Sequence, residues 1–245
     1  MSQEIPGSTS PVSAEPTKSP LERIIGVFFS PKATFEDINR KPDWIVPLVL
    51  LLVLGVVAVY VYFLKVDVGG LMLDQIQRAG QPEPPEDRLN SIVKVTKIFY
   101  YAGAIVLTPV IALISSGILF AVTNFIFGAE TTFKKVFSVR LYADMVFALR
   151  TLLAIPVLFV RQPTELGDPS DVVLSNLAWL FPSENKIAHA FGKTLDLFWV
   201  WYIIVLGIGL VAVSKKLAFK KALIGPIILW GIFTLFVVVS ASFKK

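Results

Sequence analysis

A chain of 245 residues that is 55% hydrophobic and only 17% charged is too oily for an ordinary soluble domain, where about a quarter of residues are charged. Its formal charge of +5 suits anionic lipid better than nucleic acid, because no long basic stripe accompanies it. The absence of cysteine excludes disulfide scaffolds, zinc-thiolate and iron–sulfur sites and cysteine nucleophiles, and a single histidine, His189, excludes any metal site needing two.

Residues Met1 to Pro20 are dominated by Ser, Thr and Pro, with scarcely any bulky apolar side chain. Such a segment cannot bury enough surface to offset its chain entropy, which predicts a disordered tail over 1–20 ahead of one membrane domain over 21–245. The tail lacks the basic start and apolar stretch of a cleavable signal peptide. In Leu21 to Lys41, Leu21, Ile24, Ile25 and Phe28 recur at helical spacing, Pro31 breaks the run, and Phe35 and Ile38 share a face of a second short helix. Periodicity allows two placements of this amphipathic pair. Its apolar faces lie along the lipid headgroups or fold onto the protein's own helices.

Five apolar runs follow. Trp44 to Leu64 carries no charge and is long enough to cross a core of about 30 Å, with Trp44 at one end and Tyr60 and Tyr62 at the other as interfacial aromatics. Ile98 to Phe127 is longer than a bilayer requires and contains Pro109 and Asn124, which predicts a tilted or kinked rod with its first turns outside the hydrocarbon. The third run, Phe137 to Val160, carries Arg140, Asp144 and Arg150, whereas Leu195 to Val213 and Ala222 to Val239 are free of charge after Asp196. The expected fold is therefore all-α and polytopic, with five transmembrane helices and interfacial helices.

Two loops between runs are expected to carry structure of their own. Residues 65–97 predict a helical hairpin with a corner at Gly80–Pro85. In 161–193, a Ser170/Asp171 cap predicts a short interfacial helix over Val172 to Leu180 anchored by Trp179, and Ser183 is placed to cap a helix leading into the fourth span. Short-loop lysines set the orientation. Lys215, Lys216, Lys220 and Lys221 follow span four, and Lys134, Lys135 and Arg140 follow span two, against Lys65, Lys94 and Lys97 on the opposite side. The balance places the N-terminus in the cytoplasm and the Lys244-Lys245 tail outside, in a multi-pass protein of the cell membrane.

No catalytic constellation emerges. There is no G-x-S-x-G, no H-E-x-x-H and no phosphate-cradling G-x-x-x-x-G-K-[ST]. His189, between alanines, reads as a solvated or capping histidine. Gly207 and Gly209, inside a span, read as close helix packing. The intramembrane charges carry the one real energetic demand, because an arginine near a helix centre costs about 2.5–3.5 kcal/mol. Arg140 and Asp144 are one turn apart and can pair. Asp196 becomes a partner for Arg150 if that side chain reaches outward and span three ends early at Pro156. The charges are either interhelical glue, which is the favoured reading, or a pathway for an ion or solute. The basic loop of Lys215, Lys216, Lys220 and Lys221 serves as a topology signal or as a docking surface.

Several stretches together resemble the Yip family domain. They are Val27 to Ile38 (VFFSPKATFEDI) with Lys41-Pro-Asp-Trp44, then Phe127 to Ala143, then Leu195-Asp-Leu-Phe-Trp-Val-Trp201 with Gly207-Ile-Gly209, Ser214-Lys-Lys and Lys221-Ala222. The resemblance is strongest to prokaryotic members. It implies an all-helical multipass protein with a cytoplasmic N-terminus and carries no settled activity across, while the missing catalytic constellation is what predicts neither enzymatic activity nor a cofactor. Eukaryotic relatives bind Rab-type GTPases, but the Asp-Leu-Tyr-Gly-Pro motif is missing here, so the resemblance does not carry GTPase binding across. The expected role is to organise membrane or recruit a membrane or soluble protein. Transport through the third-span charges is the alternative. Small residues such as Gly55, Gly103 and Gly117 are compatible with an oligomer.

Overall fold

A computed structural model describes residues 17–160, 172–182 and 184–243. Most of the expected disordered tail lies outside the described residues, as do Asp171 and Ser170, Ser183 and the Lys244-Lys245 end. Among the described residues the chain is helical, with one isolated antiparallel bridge between Asn176 and Asp196.

Helix α1 (Pro20–Phe29) starts at Ser19, whose side chain accepts from the Glu22 N–H while Glu22 accepts from the Ser19 N–H at 2.7 Å. This reciprocal cap satisfies donors that a helix start leaves open. Pro31 then opens α2 (Pro31–Arg40), where its fixed φ and missing N–H suit the first turn. The two helices approach closely at Gly26, where any Cβ would collide with the Thr34 hydroxyl. One face of the pair folds onto the protein's own helices, and the other is left outward. Val27, Phe35 and Ile38 are fully buried in the core, whereas Leu21, Ile25 and Phe29 are 65%, 51% and 85% exposed in one outward stripe.

Among the described residues, four helices are long and apolar enough to cross a bilayer. They are α3 (Ile45–Lys65), α5 (Glu86–Ile126), α6 (Phe133–Val160) and α9 (Phe219–Ser242). Between the first two, α4 (Val68–Arg78) forms a hairpin with the start of α5, turning at Gly80 with φ +65°. The long α5 absorbs its irregularities in π-turns at Gly103–Leu107, just before Pro109, and at Val122–Ile126 around Asn124. Asn124 then clasps the turn to α6 by bonding both the N–H and the carbonyl of Thr131 at 2.9 Å. Gly128 in this turn adopts φ +59°, a conformation that costs glycine least.

The fourth run, expected over Leu195 to Val213, is the helix α8 (Leu197–Ala212), whose 16 residues span about 24 Å, and a break separates it from the helix that leads into it, α7 (Lys186–Thr194). The break follows from Asp196, which takes extended backbone angles and caps α8 by accepting the Phe198 N–H at 2.7 Å. The expected helix over Val172 to Leu180 is also absent as such, apart from a single 3-10 turn at Ala178–Leu180. Its backbone is committed elsewhere: Leu197 N–H donates to the Ser175 carbonyl, and Leu177 N–H is shared between the Gly192 and Leu195 carbonyls. The helix into the fourth run begins after Asn185, which caps it through the Ala188 N–H.

Ring contacts fix the ends of the bundle. Trp44 of α3 meets Phe137 of α6 at 5.7 Å, while at the other end Lys65 stands over the Phe159 ring and Tyr62 packs with Leu158 and Val172. The Lys215 N–H donates to the Ala129 carbonyl, so the turns after α5 and α8 lie together at the Trp44 end. The core joins α1 and α2 to α6 and α8 through Phe35, Val139, Tyr142, Leu206 and Leu210.

Candidate functional site

The charges inside the rods form separate pairs. Arg140 and Asp144, one turn apart on α6, make a nearly buried ion pair, and Tyr202 of α8 adjoins both. Arg150 does not join them. Its guanidinium lies 3.6 Å from the Asp196 carboxylate and donates to the Ser175 hydroxyl, which itself donates to Asp196 at 2.5 Å. The expected route to this pairing, an early end of span three at Pro156, is not the one used. Helix α6 continues through Pro156 to Val160, and Arg150 lies about 15 Å from that end. The break before α8 carries Asp196 to Arg150 instead. A carboxylate beside each arginine offsets an insertion cost of about 2.5–3.5 kcal/mol per charge.

The basic loop is partly engaged. Lys215 and Lys216 bond the Glu130 carboxylate at 3.2 and 3.5 Å, and Lys221 stands over the Phe127 ring at 5.9 Å. The Lys215 hydrogen bond, then the Lys216 charge, hold Glu130 below its ordinary carboxylate range. Lys220 is exposed. The arrangement ties the two turns at this end to one another.

Arg23 and Asp37, not singled out by any sequence motif, are the most buried charges among the described residues. Arg23 Nε donates to Asp37 at 2.8 Å, with both side chains 2% exposed, and its Nη1 donates to the Lys41 carbonyl. Tyr142 of α6 donates to Asp43 at 3.3 Å just beyond. A signal was present: Arg23 falls on the same face as Gly26 and Val27, and Asp37 lies beside Ile38 on the buried face of α2. A charge on the apolar side of each of two consecutive amphipathic helices is the pattern of a buried pair.

Among the described residues no group of three or more His, Cys, Asp or Glu could hold a metal ion. The His189 ring faces the Phe181 carbonyl at 3.4 Å. Gly207 and Gly209 are close-packing positions, since a Cβ would come within 2.6 Å of Leu223 at the first and 3.2 Å of the Phe35 ring at the second.

A family model described as the Yip1 domain matches residues 25–241. Among curated proteins, the chain is 27% identical over 216 residues to "Membrane protein YknW" of Bacillus subtilis (strain 168), an alignment covering 87% of each chain. No solved structure matches.

Proposed function

The chain belongs to the Yip1 domain family of integral membrane proteins, and from that premise we propose that it is a non-enzymatic organiser of the cell membrane that acts at the cytoplasmic end of its bundle. The observation that carries this reading is the α1–α2 pair. Arg23–Asp37 ties its two helices together, Val27, Phe35 and Ile38 seat it in the bundle core, and Leu21, Ile25 and Phe29 are left outward. A rigidly mounted apolar stripe displaces lipid or receives a partner helix. The exposed Lys220 and the neighbouring Lys134 and Lys135 give a soluble or membrane partner a charged rim.

In this reading Arg140, Asp144, Arg150 and Asp196 are structural, each pair fixing the register of the helices around it. Transport, the alternative suggested by those charges, draws no support from the relatives. The test is reconstitution of the full chain in liposomes, alongside a Leu21→Ser/Ile25→Ser/Phe29→Ser variant. The wild type is expected to alter vesicle shape or to retain a membrane partner on purification from native membranes, and the variant to lose that effect. Unchanged vesicles and no retained partner, together with solute flux, would overturn the proposal.

A further inference from the structure

Where α1, the link to α3 and the start of α6 meet, they enclose a pocket of about 360 Å³. Lys18, Arg23, Lys41 and Lys134 line it, with Asp43 as the carboxylate and Trp44 as its apolar wall. The carboxylate is already engaged, accepting from the Tyr142 hydroxyl and from the Ile45 N–H at 3.2 Å. Arg23 is the informative member. Its side chain is 2% exposed, held by Asp37 through Nε and by the Lys41 carbonyl through Nη1, and it adjoins the Tyr142 hydroxyl, so it sets a fixed positive charge in the wall that the three lysines reinforce.

We propose that this pocket binds the phosphate of an anionic lipid headgroup. Phosphate is favoured because its several acceptor oxygens suit a guanidinium flanked by lysines. A lipid is favoured over a free anion because the pocket opens beside α3, where Ile45, Val49 and Val53 are 56%, 51% and 55% exposed at every fourth position. That stripe runs from the headgroup end into the hydrocarbon and offers a track for an acyl chain. The site differs from the basic loop, whose Lys215 and Lys216 already hold Glu130.

The experiment uses the full chain in vesicles, reading the part of the tryptophan emission that Trp44→Phe removes. Brominated phosphatidylglycerol at a fixed mole fraction is compared with brominated phosphatidylcholine. Stronger quenching by the anionic lipid is expected, and Lys18→Gln/Lys134→Gln should weaken that preference by about fivefold for each lysine removed. Both lysines lie outside the buried core, so the fold should persist, and Lys220→Gln serves as a control that leaves the preference intact. Equal quenching by the two lipids, or a preference unmoved by the double variant, would overturn the proposal. Inorganic phosphate that abolishes the preference, where sodium chloride of equal ionic strength does not, would overturn the lipid as the source. An acidic peptide that does the same would point to a protein occupant and equally overturn it.

Discussion

The Arg150 guanidinium and the Asp196 carboxylate lie 3.6 Å apart although they belong to different apolar runs of the chain. Their meeting depends on the break that makes Asp196 the cap of α8, so one side chain closes an ion pair, accepts from Ser175 and starts a helix.

Replacing Asp196 with Ala should therefore cost more than loss of a cap. The cap contributes about 1 kcal/mol, and a hydrogen bond to a buried charge about 1.5–3 kcal/mol. Thermal unfolding in detergent should show a loss of roughly 2–4 kcal/mol for Asp196→Ala. Asp196→Asn, which keeps the capping oxygen, should lose less. Equal stability of all three proteins would contradict the assigned role.

The Arg23–Asp37 pair yields a prediction about the N-terminal helices. Arg23→Ala leaves the Asp37 carboxylate buried and should cost about 3–5 kcal/mol, freeing α1 and α2 for proteolysis while α3 to α9 stay folded. Arg23→Met/Asp37→Leu removes both charges and should recover much of that loss. A double variant cleaved as fast as the single one would show that the pair does not clamp the helices.

Gly26 and Thr34 form a second test of the same contact. Gly26→Ala drives a methyl group into the Thr34 hydroxyl, an overpacking penalty of about 1–3 kcal/mol. Thr34→Ala removes the obstructing oxygen, so the double variant should be more stable than Gly26→Ala alone. Strict additivity in a double-mutant cycle would count against the close approach.

Glu130 makes the turn contact dependent on pH. Its carboxyl is held below the ordinary value of 4.5, first by the Lys215 hydrogen bond and then by the Lys216 charge. A group lowered on folding contributes above its ordinary value and loses that contribution as pH falls through the depressed one. The link between the two turns should thus persist at mildly acidic pH and weaken only in stronger acid. Carboxyl-carbon NMR should show the Glu130 midpoint rising in Lys215→Ala, and an unmoved midpoint would refute the contact.

Much of this architecture is legible in the sequence because hydrocarbon imposes so blunt a requirement. Twenty or so apolar residues declare a rod, and the starts of α3, α5, α6 and α9 differ from the expected bounds chiefly where polar turns extend the helix beyond the lipid. The pairing of Arg140 with Asp144 was legible from spacing alone. The break at Leu195–Asp196 was not, since an aspartate before an apolar run reads equally as a cap at the membrane surface. Only its long-range partners, Ser175 and Arg150, reveal how deep it lies. Val172 to Leu180 misled for the same reason. Local apolar periodicity cannot register that Ser175 and Leu177 spend their backbone groups on α7 and α8. The buried faces of α1 and α2 are likewise decided by partners more than a hundred residues away.

A fourth rod of 16 residues reaches about 24 Å, short of a hydrocarbon slab about 30 Å thick. The shortfall is made up by chain that is not a continuous helix, with Leu174, Trp179, Leu180 and Ile187 turned outward. Along this flank the apolar wall is therefore part rod and part irregular chain, so its height against lipid is set by the contacts of Ser175, Leu177 and Asp196 rather than by helix length alone.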